Sequence, residues 1–169
     1  MKIVFLETET LGNDVDLSIF DQLGEVVKYP RSNPEENARR IADADILIVN
    51  KIPMNESTLK LAKYLKLICI TATGTNIVDF DYINRRNIKA ANVRGYSTQS
   101  VVQHTFALFF YLYEKLRYYD EFVKSGEYIR SDIFSHFSAR FHELYGKTWG
   151  IIGLGEIGRG VAEVAKQFG

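Results

Sequence analysis

The sequence predicts an α/β protein in which a parallel sheet with helices on both faces is followed by a long helix and a glycine-rich turn. Short apolar runs alternate with amphipathic stretches over residues 1–100. Residues 100–124 contain neither glycine nor proline, and a Gly-x-Gly-x-x-Gly pattern occupies residues 153–158. The alternation favours strands joined by helical crossovers, and the two later features favour a helix and a turn that opens another helix.

Short apolar runs are predicted to form the strands of the sheet. The run that ends at Val49 is continuous, which is typical of a strand covered on both faces. The predicted strands cover residues 2–6, 25–29, 45–49, 67–71 and 88–93. Because helical stretches separate these strands, we expect right-handed crossovers in a parallel sheet. The resulting fold class is a flavodoxin-like α/β domain.

Helical segments are predicted between the strands. The clearest start signal is Asn33, followed by Pro34 and two glutamates. Asparagine caps a helix, proline fits the first turn, and carboxylates favour the positive end of the helix dipole. The predicted helices cover residues 17–23, 33–42, 56–64 and 81–86, and Gly24 closes the first of them.

A single long helix is predicted over residues 100–124, ended by Ser125 and Gly126. Apolar side chains lie around most of the helix circumference. We therefore expect this helix to be buried on several sides, between domains or between subunits. Residues 127–145 are rich in aromatic side chains without a regular period, which favours an ordered loop.

The glycine pattern is predicted to form a dinucleotide-binding turn between a strand at residues 147–152 and a helix at residues 159–168. Gly153 would permit the tight turn, Gly155 would let the backbone approach a pyrophosphate, and Gly158 would let helix and strand pack closely. An ordinary glycine-rich turn is the alternative interpretation. One strand and one helix lack sheet neighbours, so residues 147–169 must be held by something outside this segment, exchange with another copy, or be partly disordered.

The composition narrows the class of protein. The 21 basic and 21 acidic residues balance, so no net charge favours nucleic acid or an anionic membrane surface. The single cysteine, Cys69, excludes an intramolecular disulfide, and its apolar neighbours indicate a buried, inert thiol. No apolar run is long enough for a signal peptide or a membrane span, so the expectation is a soluble cytoplasmic protein.

Three segments together resemble the D-isomer-specific 2-hydroxyacid dehydrogenase family, which includes D-lactate, glycerate, hydroxypyruvate and phosphoglycerate dehydrogenases. They are TATGTNIVD at residues 71–79, NVRGYSTQSVVQHTFAL at residues 92–108 and GKTWGIIGLGEIG at residues 146–158. The resemblance implies a flavodoxin-like substrate domain at residues 1–100 and a crossover helix at the homodimer interface at residues 101–125. Residues 126–169 would then begin an NAD-binding Rossmann domain and leave it incomplete.

The resemblance also implies a substrate site. Thr73 and Gly74 are similar to the turn whose backbone amides hold the substrate carboxylate, and Thr73 is also similar to a nicotinamide-side contact. Lys51 belongs to a loop similar to the one that lines the pocket, and Tyr96 resembles an aromatic residue of the lactate-type members. The alternatives are a strand-ending turn for Thr73 and Gly74, a solvated lysine and a surface aromatic.

The implied cofactor is NAD. Val101 and Val102 are similar to residues near the nicotinamide, although plain core positions are the alternative. Glu156 and Ile157 match a pair whose backbone meets the pyrophosphate. The full set of cofactor positions implied by the resemblance is Thr73, Val101, Val102, Gly153, Gly155, Glu156, Ile157 and Gly158.

The implied reaction moves a hydride between NAD(H) and carbon 2 of a D-2-hydroxy acid or 2-keto acid. The family's catalytic arginine, glutamate and histidine lie beyond the glycine motif, so we expect no catalytic residue here. His136 and His142 lack an acidic partner for a dyad and the spacing of a metal site, and His104 is expected to be a hydrogen-bonded interface residue of the long helix. The expected function is therefore that of a longer oxidoreductase of which this sequence is part. The alternative is a non-catalytic binding or dimerisation module.

Overall fold

The computed structural model describes residues 1–169, which divide into two compact units, Met1–Arg94 and Gly95–Gly169. The first unit contains all five strands of residues 1–169. These are β1 (Lys2–Phe5), β2 (Glu25–Lys28), β3 (Ile46–Val49), β4 (Leu67–Ile70) and β5 (Lys89–Asn92). All of the strands predicted for the first hundred residues are thus confirmed, each shortened by one or two residues.

The five strands form one parallel sheet in the order β2-β1-β3-β4-β5. This is the flavodoxin-like order, so the predicted fold class is confirmed. The order reverses direction between β1 and β3, where Val4 pairs with Leu47. Because all strands run the same way, their carboxyl ends lie along one edge of the sheet.

Helices α1 (Pro34–Arg40), α2 (Glu56–Leu59) and α3 (Phe80–Arg85) connect the later strands of this unit. Each begins at a side-chain cap. The Asn33 side chain accepts from the amide of Glu36, and Asn55 and Asp79 cap the other two helices in the same way. The predicted start signal at Asn33 is therefore confirmed, since its oxygen satisfies an otherwise free amide of the first turn.

Helix α2 ends well before the predicted limit at residue 64. The guanidinium of Arg86 donates to the carbonyls of Leu59 at 2.6 Å and Ala62 at 2.5 Å. In a continuing helix these carbonyls would accept amides from the next turn. The Leu59 carbonyl accepts instead the amide of Ala62, three residues on, at 3.0 Å. The bonds from Arg86 complete this end of the helix.

The helix predicted over residues 17–23 is a short 3₁₀ helix, Ser18–Gln22, and another 3₁₀ helix covers Thr8–Leu11. The predicted helix is therefore present, one residue shorter at each end and of the 3₁₀ type. Asp16 caps the amide of Ser18, and Gly24 with φ of 152° ends the segment. The segment between Asp16 and Gly24 is short, and short helical segments often adopt the 3₁₀ form because a longer series of α-helical hydrogen bonds cannot form.

Apolar side chains cover the two faces of the sheet unequally. One face packs against α1, α2 and α3 through Ile41, Leu59 and Ile83. The other face is covered by the 3₁₀ segments, where Phe20 meets Phe5 edge-on at 5.1 Å. Cys69 lies half-buried on this second face, and burial raises the pKa of its thiol, which disfavours the reactive thiolate.

The second unit is helical, and the predicted single long helix is broken in two. Helix α4 spans Thr98–Tyr113 and α5 spans Leu116–Lys124, followed by the short α6 (Glu127–Arg130). The break lies at Lys115, whose φ of 55° is left-handed. No glycine or proline marks this position, so the sequence pattern alone did not predict it. The new direction of α5 lets the Tyr119 hydroxyl donate to the carbonyl of Ala139.

Residues 147–152 do not form the predicted strand, because no other strand of the second unit lies beside them. The segment packs instead on α4, with the Trp149 ring 5.1 Å from Phe106 and 4.5 Å from Phe109. After it comes α7 (Glu156–Ala165), which ends in a 3₁₀ turn and also packs on α4. Residues 147–169 are thus held by α4 of the same chain.

No helix in the structure combines the length and the apolar character needed to cross a bilayer.

We expect Arg86→Met to destabilise the protein, because two carbonyls at the end of α2 would lose a charged donor. The expected loss is about 2 kcal/mol in the free energy of unfolding, measured by urea titration followed by circular dichroism. Arg85→Met is the matched control. Its guanidinium lies 5.8 Å from the Tyr82 ring, against 5.7 Å for Arg86, so both variants lose the same aromatic contact. An equal loss in the two variants would assign the effect to that ring.

Candidate functional site

Three segments of the first unit that carry predicted or polar residues lie at the carboxyl edge of its sheet. Residues 50–53 follow β3, residues 71–74 follow β4, and residues 93–94 follow β5. Ligands of open parallel sheets bind outside this edge, near the point where the strand order reverses. The topology therefore places the predicted Lys51 loop and the predicted Thr73–Gly74 turn on the edge that such folds use for binding.

The turn at Thr73 and Gly74 is held by the end of β5. The side-chain amide of Asn92 donates to the carbonyl of Thr73 at 2.7 Å, and the Thr73 hydroxyl donates to the carbonyl of Val93 at 3.0 Å. The backbone amides of Thr73 and Gly74 donate to no acceptor within the protein, and both residues are exposed. Two neighbouring free amides on a fixed turn can bind an oxyanion.

Lys51 is exposed and forms no ion pair, so its ammonium group faces solvent. The backbone around it is fixed by a residue that the sequence reasoning missed. One carboxylate oxygen of Glu7 accepts from the amides of Asn50 at 2.7 Å, Lys51 at 2.9 Å and Ile52 at 3.3 Å.

Glu7 and Asn92 were both missed because their partners are backbone groups far away in sequence. A signal for each was present all the same. Glu7 is the first charged residue after the buried strand β1, and Asn92 is the last residue of β5. Polar side chains at the carboxyl ends of parallel strands lie on the edge where ligands bind.

The remaining predicted site residues lie in the second unit. Tyr96 is 63% exposed and Val101 is 39% exposed, whereas Val102 is buried against Val161. A Cβ atom on Gly160 of α7 would lie 2.7 Å from a methyl group of Val102. Val102 therefore packs in the contact between α4 and α7, the environment that its core alternative describes.

The glycine motif has the geometry that its spacing predicts, apart from the missing strand. Gly153 has φ of 92°, a left-handed conformation that favours glycine. A Cβ on Gly158 would lie 2.1 Å from the carbonyl oxygen of Gly153, whereas a Cβ on Gly155 would meet nothing within 4 Å. Gly158 allows a close approach within the protein, and Gly155 leaves its approach open to a ligand.

Gly155 caps α7, and no side chain forms a capping hydrogen bond at the amino end of that helix. The first backbone amides of a helix lack intrahelical acceptors, and the dipole favours an anion there. The Glu156 carboxylate is turned toward α4, where it accepts from the Thr98 hydroxyl at 3.5 Å. Ile157 is 39% exposed beside it. The amino end of α7 is thus an open donor surface.

The three histidines lie in the second unit, on α4 and in the loop after α6. His136 is hydrogen-bonded to the Tyr118 hydroxyl at 2.6 Å, and its ring is stacked on Phe122 with the centroids 3.7 Å apart. His104 and His142 are exposed. The His136 contacts tie the loop after α6 to α5, which is a structural role.

These observations define a class of protein: an open parallel α/β domain with free amides at the carboxyl edge of its sheet, followed by a helical unit that carries a glycine turn with open amide donors. A family model described as the catalytic domain of D-isomer specific 2-hydroxyacid dehydrogenases matches residues 3–165. The chain therefore belongs to the D-isomer specific 2-hydroxyacid dehydrogenase family, as its resemblance predicted.

Two curated relatives of the chain are a dehydrogenase and a reductase. Glycerate dehydrogenase of Methylorubrum extorquens is 35% identical over 169 residues, covering 99% of this chain and 53% of its own. Hydroxypyruvate reductase of Blautia hydrogenotrophica is 32% identical, covering 100% of this chain and 54% of its own. The chain spans about half the length of the curated relatives it matches.

Solved structures show the same fold. D-lactate dehydrogenase of Aquifex aeolicus, complexed with NAD and lactic acid, superposes with a TM-score of 0.80 at 25% identity, covering 98% of this chain and 48% of its own. An acyclic imino acid reductase in complex with NADPH and D-arginine superposes with a TM-score of 0.82 at 27% identity, covering 99% of this chain and 53% of its own.

We expect Gly158→Ala to destabilise the second unit, because the added methyl group would press on the carbonyl of Gly153. The expected loss is about 1–3 kcal/mol, the range for overpacking a tight contact. Thermal unfolding followed by the fluorescence of Trp149, the single tryptophan, would measure it.

Gly150→Ala is the control for this experiment, because a Cβ there meets nothing within 4 Å. An unchanged unfolding temperature in Gly158→Ala would contradict the prediction, because it would show that the turn accommodates a methyl group without losing stability.

Proposed function

We propose that this chain is part of an NAD-dependent dehydrogenase that moves a hydride between the nicotinamide and carbon 2 of a D-2-hydroxy acid or 2-keto acid. The observation that carries the proposal is the match to the family over residues 3–165. The glycine turn at α7 supports it independently, since Gly153 is left-handed and Gly155 leaves the amino end of the helix open to a ligand.

The residues present fit the cofactor. The backbone of Gly153, Gly155 and Ile157 would hold the pyrophosphate at the amino end of α7, where Gly155 leaves space for it. Thr73 and Val101 would contact the nicotinamide half. When bound, this cofactor supplies the hydride chemistry, and the protein supplies orientation and electrostatics. NAD is our proposal, and the solved relatives contain either NAD or NADPH.

The acid would bind at the carboxyl edge of the sheet. Its carboxylate would accept hydrogen bonds from the free amides of Thr73 and Gly74, which Asn92 holds in place. The unpaired ammonium group of Lys51 would favour an anionic ligand at the same edge.

The proton of the reaction requires a group that titrates near neutral pH, such as an imidazole. His136 is engaged with Tyr118 and Phe122, and His104 and His142 are exposed and pair with no acidic side chain. None of the histidines in this chain is therefore proposed to act. We propose that the arginine, glutamate and histidine of the family belong to a longer protein and that residues 1–169 alone are inactive.

We also propose a homodimer formed through residues 100–124. Leu108 is 53% exposed and Leu112, one turn later on α4, is 69% exposed. Exposed leucines one turn apart on a helix support a surface that a second copy would cover.

Expressed from its gene at native length, the protein is expected to have a mass well above 19.4 kDa and to oxidise NADH with hydroxypyruvate or pyruvate. In the reverse direction it should use D-glycerate and not L-glycerate. Gly155→Ala should raise the KM for NADH by about tenfold or more, because the new methyl group occupies the open approach. Intact mass spectrometry measures the mass, and spectrophotometry at the NADH absorbance band measures the other three results.

Gly150→Ala is the control for that variant, since its methyl group lies outside the turn. A native-length protein that reduces no 2-keto acid with either NADH or NADPH would contradict the proposed function. A mass of 19.4 kDa without turnover would favour the binding or dimerisation module.

Leu112→Glu is expected to convert the native-length dimer to a monomer, because a charge would be buried in the interface. Sedimentation velocity measures the change. Ile19→Glu is the control, since Ile19 is 62% exposed in the first unit. A wild-type monomer, or a Leu112→Glu variant that stays dimeric, would count against the proposed interface.

A further inference from the structure

We propose that Glu7 is a positioning residue for the acid-binding edge: its carboxylate sets the backbone of residues 50–52 and with it the position of Lys51. This inference rests on the proposed function. It names a residue that neither the glycine motif nor the predicted substrate positions include.

The contact between Glu7 and the loop is concentrated on one atom. A single carboxylate oxygen accepts the amides of three successive residues, Asn50, Lys51 and Ile52, at 2.7, 2.9 and 3.3 Å. Successive amides that converge on one point form an anion-binding nest, and hydrogen bonds to a charged acceptor are stronger than neutral ones. Glu7 therefore occupies an anion site built from the loop backbone.

The nest lies at the point where the strand order of the sheet reverses. Glu7 comes just after β1 and Asn50 just after β3, and the strand order reverses between these two strands. Ligands of open parallel sheets bind at this point. The Glu7 carboxylate thus connects the carboxyl ends of the two strands at the position where the fold is expected to bind its ligand.

Glu7 is itself well anchored on both sides. The amide of Leu6, which is fully buried, donates to the carbonyl of Ile48 at 3.2 Å, and the amide of Thr8 donates to the carbonyl of Tyr29 at 3.0 Å. The carboxylate therefore extends from a fixed backbone, and a fixed acceptor can impose its position on a loop that has no regular structure.

Two consequences follow for an anionic substrate. With Glu7 in the nest, the amides of residues 50–52 are unavailable, so the free amides of Thr73 and Gly74 have no competing backbone site on this loop. Lys51, whose own amide is one of the three donors, keeps its side chain unpaired at the same edge. Removal of the carboxylate would release the loop and open a second, unproductive anion site.

The test compares Glu7→Ala and Glu7→Gln in the native-length protein. Glu9→Gln is the matched control, because Glu9 lies on the adjacent turn and pairs with Arg31 instead of the loop. Hydrogen exchange measured by mass spectrometry on a peptide covering residues 48–54 reports the loop directly, because the first two residues of a peptide do not retain their label. Steady-state kinetics with hydroxypyruvate and NADH separates the KM for the acid from kcat.

In Glu7→Ala we expect the amides of residues 50–52 to exchange about tenfold faster or more, since each loses its acceptor. The KM for hydroxypyruvate should rise about tenfold, with kcat and the KM for NADH within about twofold of wild type. Glu7→Gln, which keeps an oxygen acceptor without the charge, should restore part of both effects. Glu9→Gln should match wild type in both measurements.

Unchanged exchange of residues 50–52 in Glu7→Ala would overturn the inference. So would faster exchange across β1 and β3 as well, or an equal fall in kcat, because both indicate a merely structural role. Faster loop exchange without a change in KM would also overturn it. If the wild-type protein reduces no 2-keto acid, the proposed function fails by itself, and the exchange experiment still decides whether Glu7 holds the loop.

Discussion

The parallel pairing of β1, β3 and β4 is the constraint on which the candidate substrate site depends. Because the three strands run in one direction, the residues that follow them meet at one edge of the sheet. Glu7 can then reach the amides after β3, and Asn92 at the end of β5 can hold the turn after β4. A site made of loops acquires its geometry from the regular backbone beneath it.

A close approach between α4 and α7 organises the second unit in a similar way. Gly160 lets α7 lie against Val102, and the aromatic rings of Phe106 and Trp149 fill the space beside it. These contacts replace the sheet that the apolar segment at residues 147–152 lacks. The glycine turn is therefore held in shape by helix packing, although its expected strand is absent.

Local patterns predicted much of the structure. The apolar runs predicted every strand, and Asn33 predicted the start of α1, because burial and capping leave a signal in neighbouring residues. The spacing of Gly153, Gly155 and Gly158 predicted a turn with a close internal approach and an open face. The resemblance to a family was confirmed by the match over residues 3–165, and the roles of the individual site residues remain predictions.

What the sequence could not supply was decided by contacts between distant positions. The left-handed break at Lys115 and the early end of α2 have no local signal, since Tyr119 with Ala139 and Arg86 with Leu59 come together only in the folded chain. The nest filled by Glu7 belongs to the same group, because its donors lie more than forty residues away. Periodicity and capping act over one or two turns of chain, so the sequence alone could specify the elements and the glycine turn. The ends of those elements, and the hydrogen bonds that hold the binding edge, depended on tertiary packing.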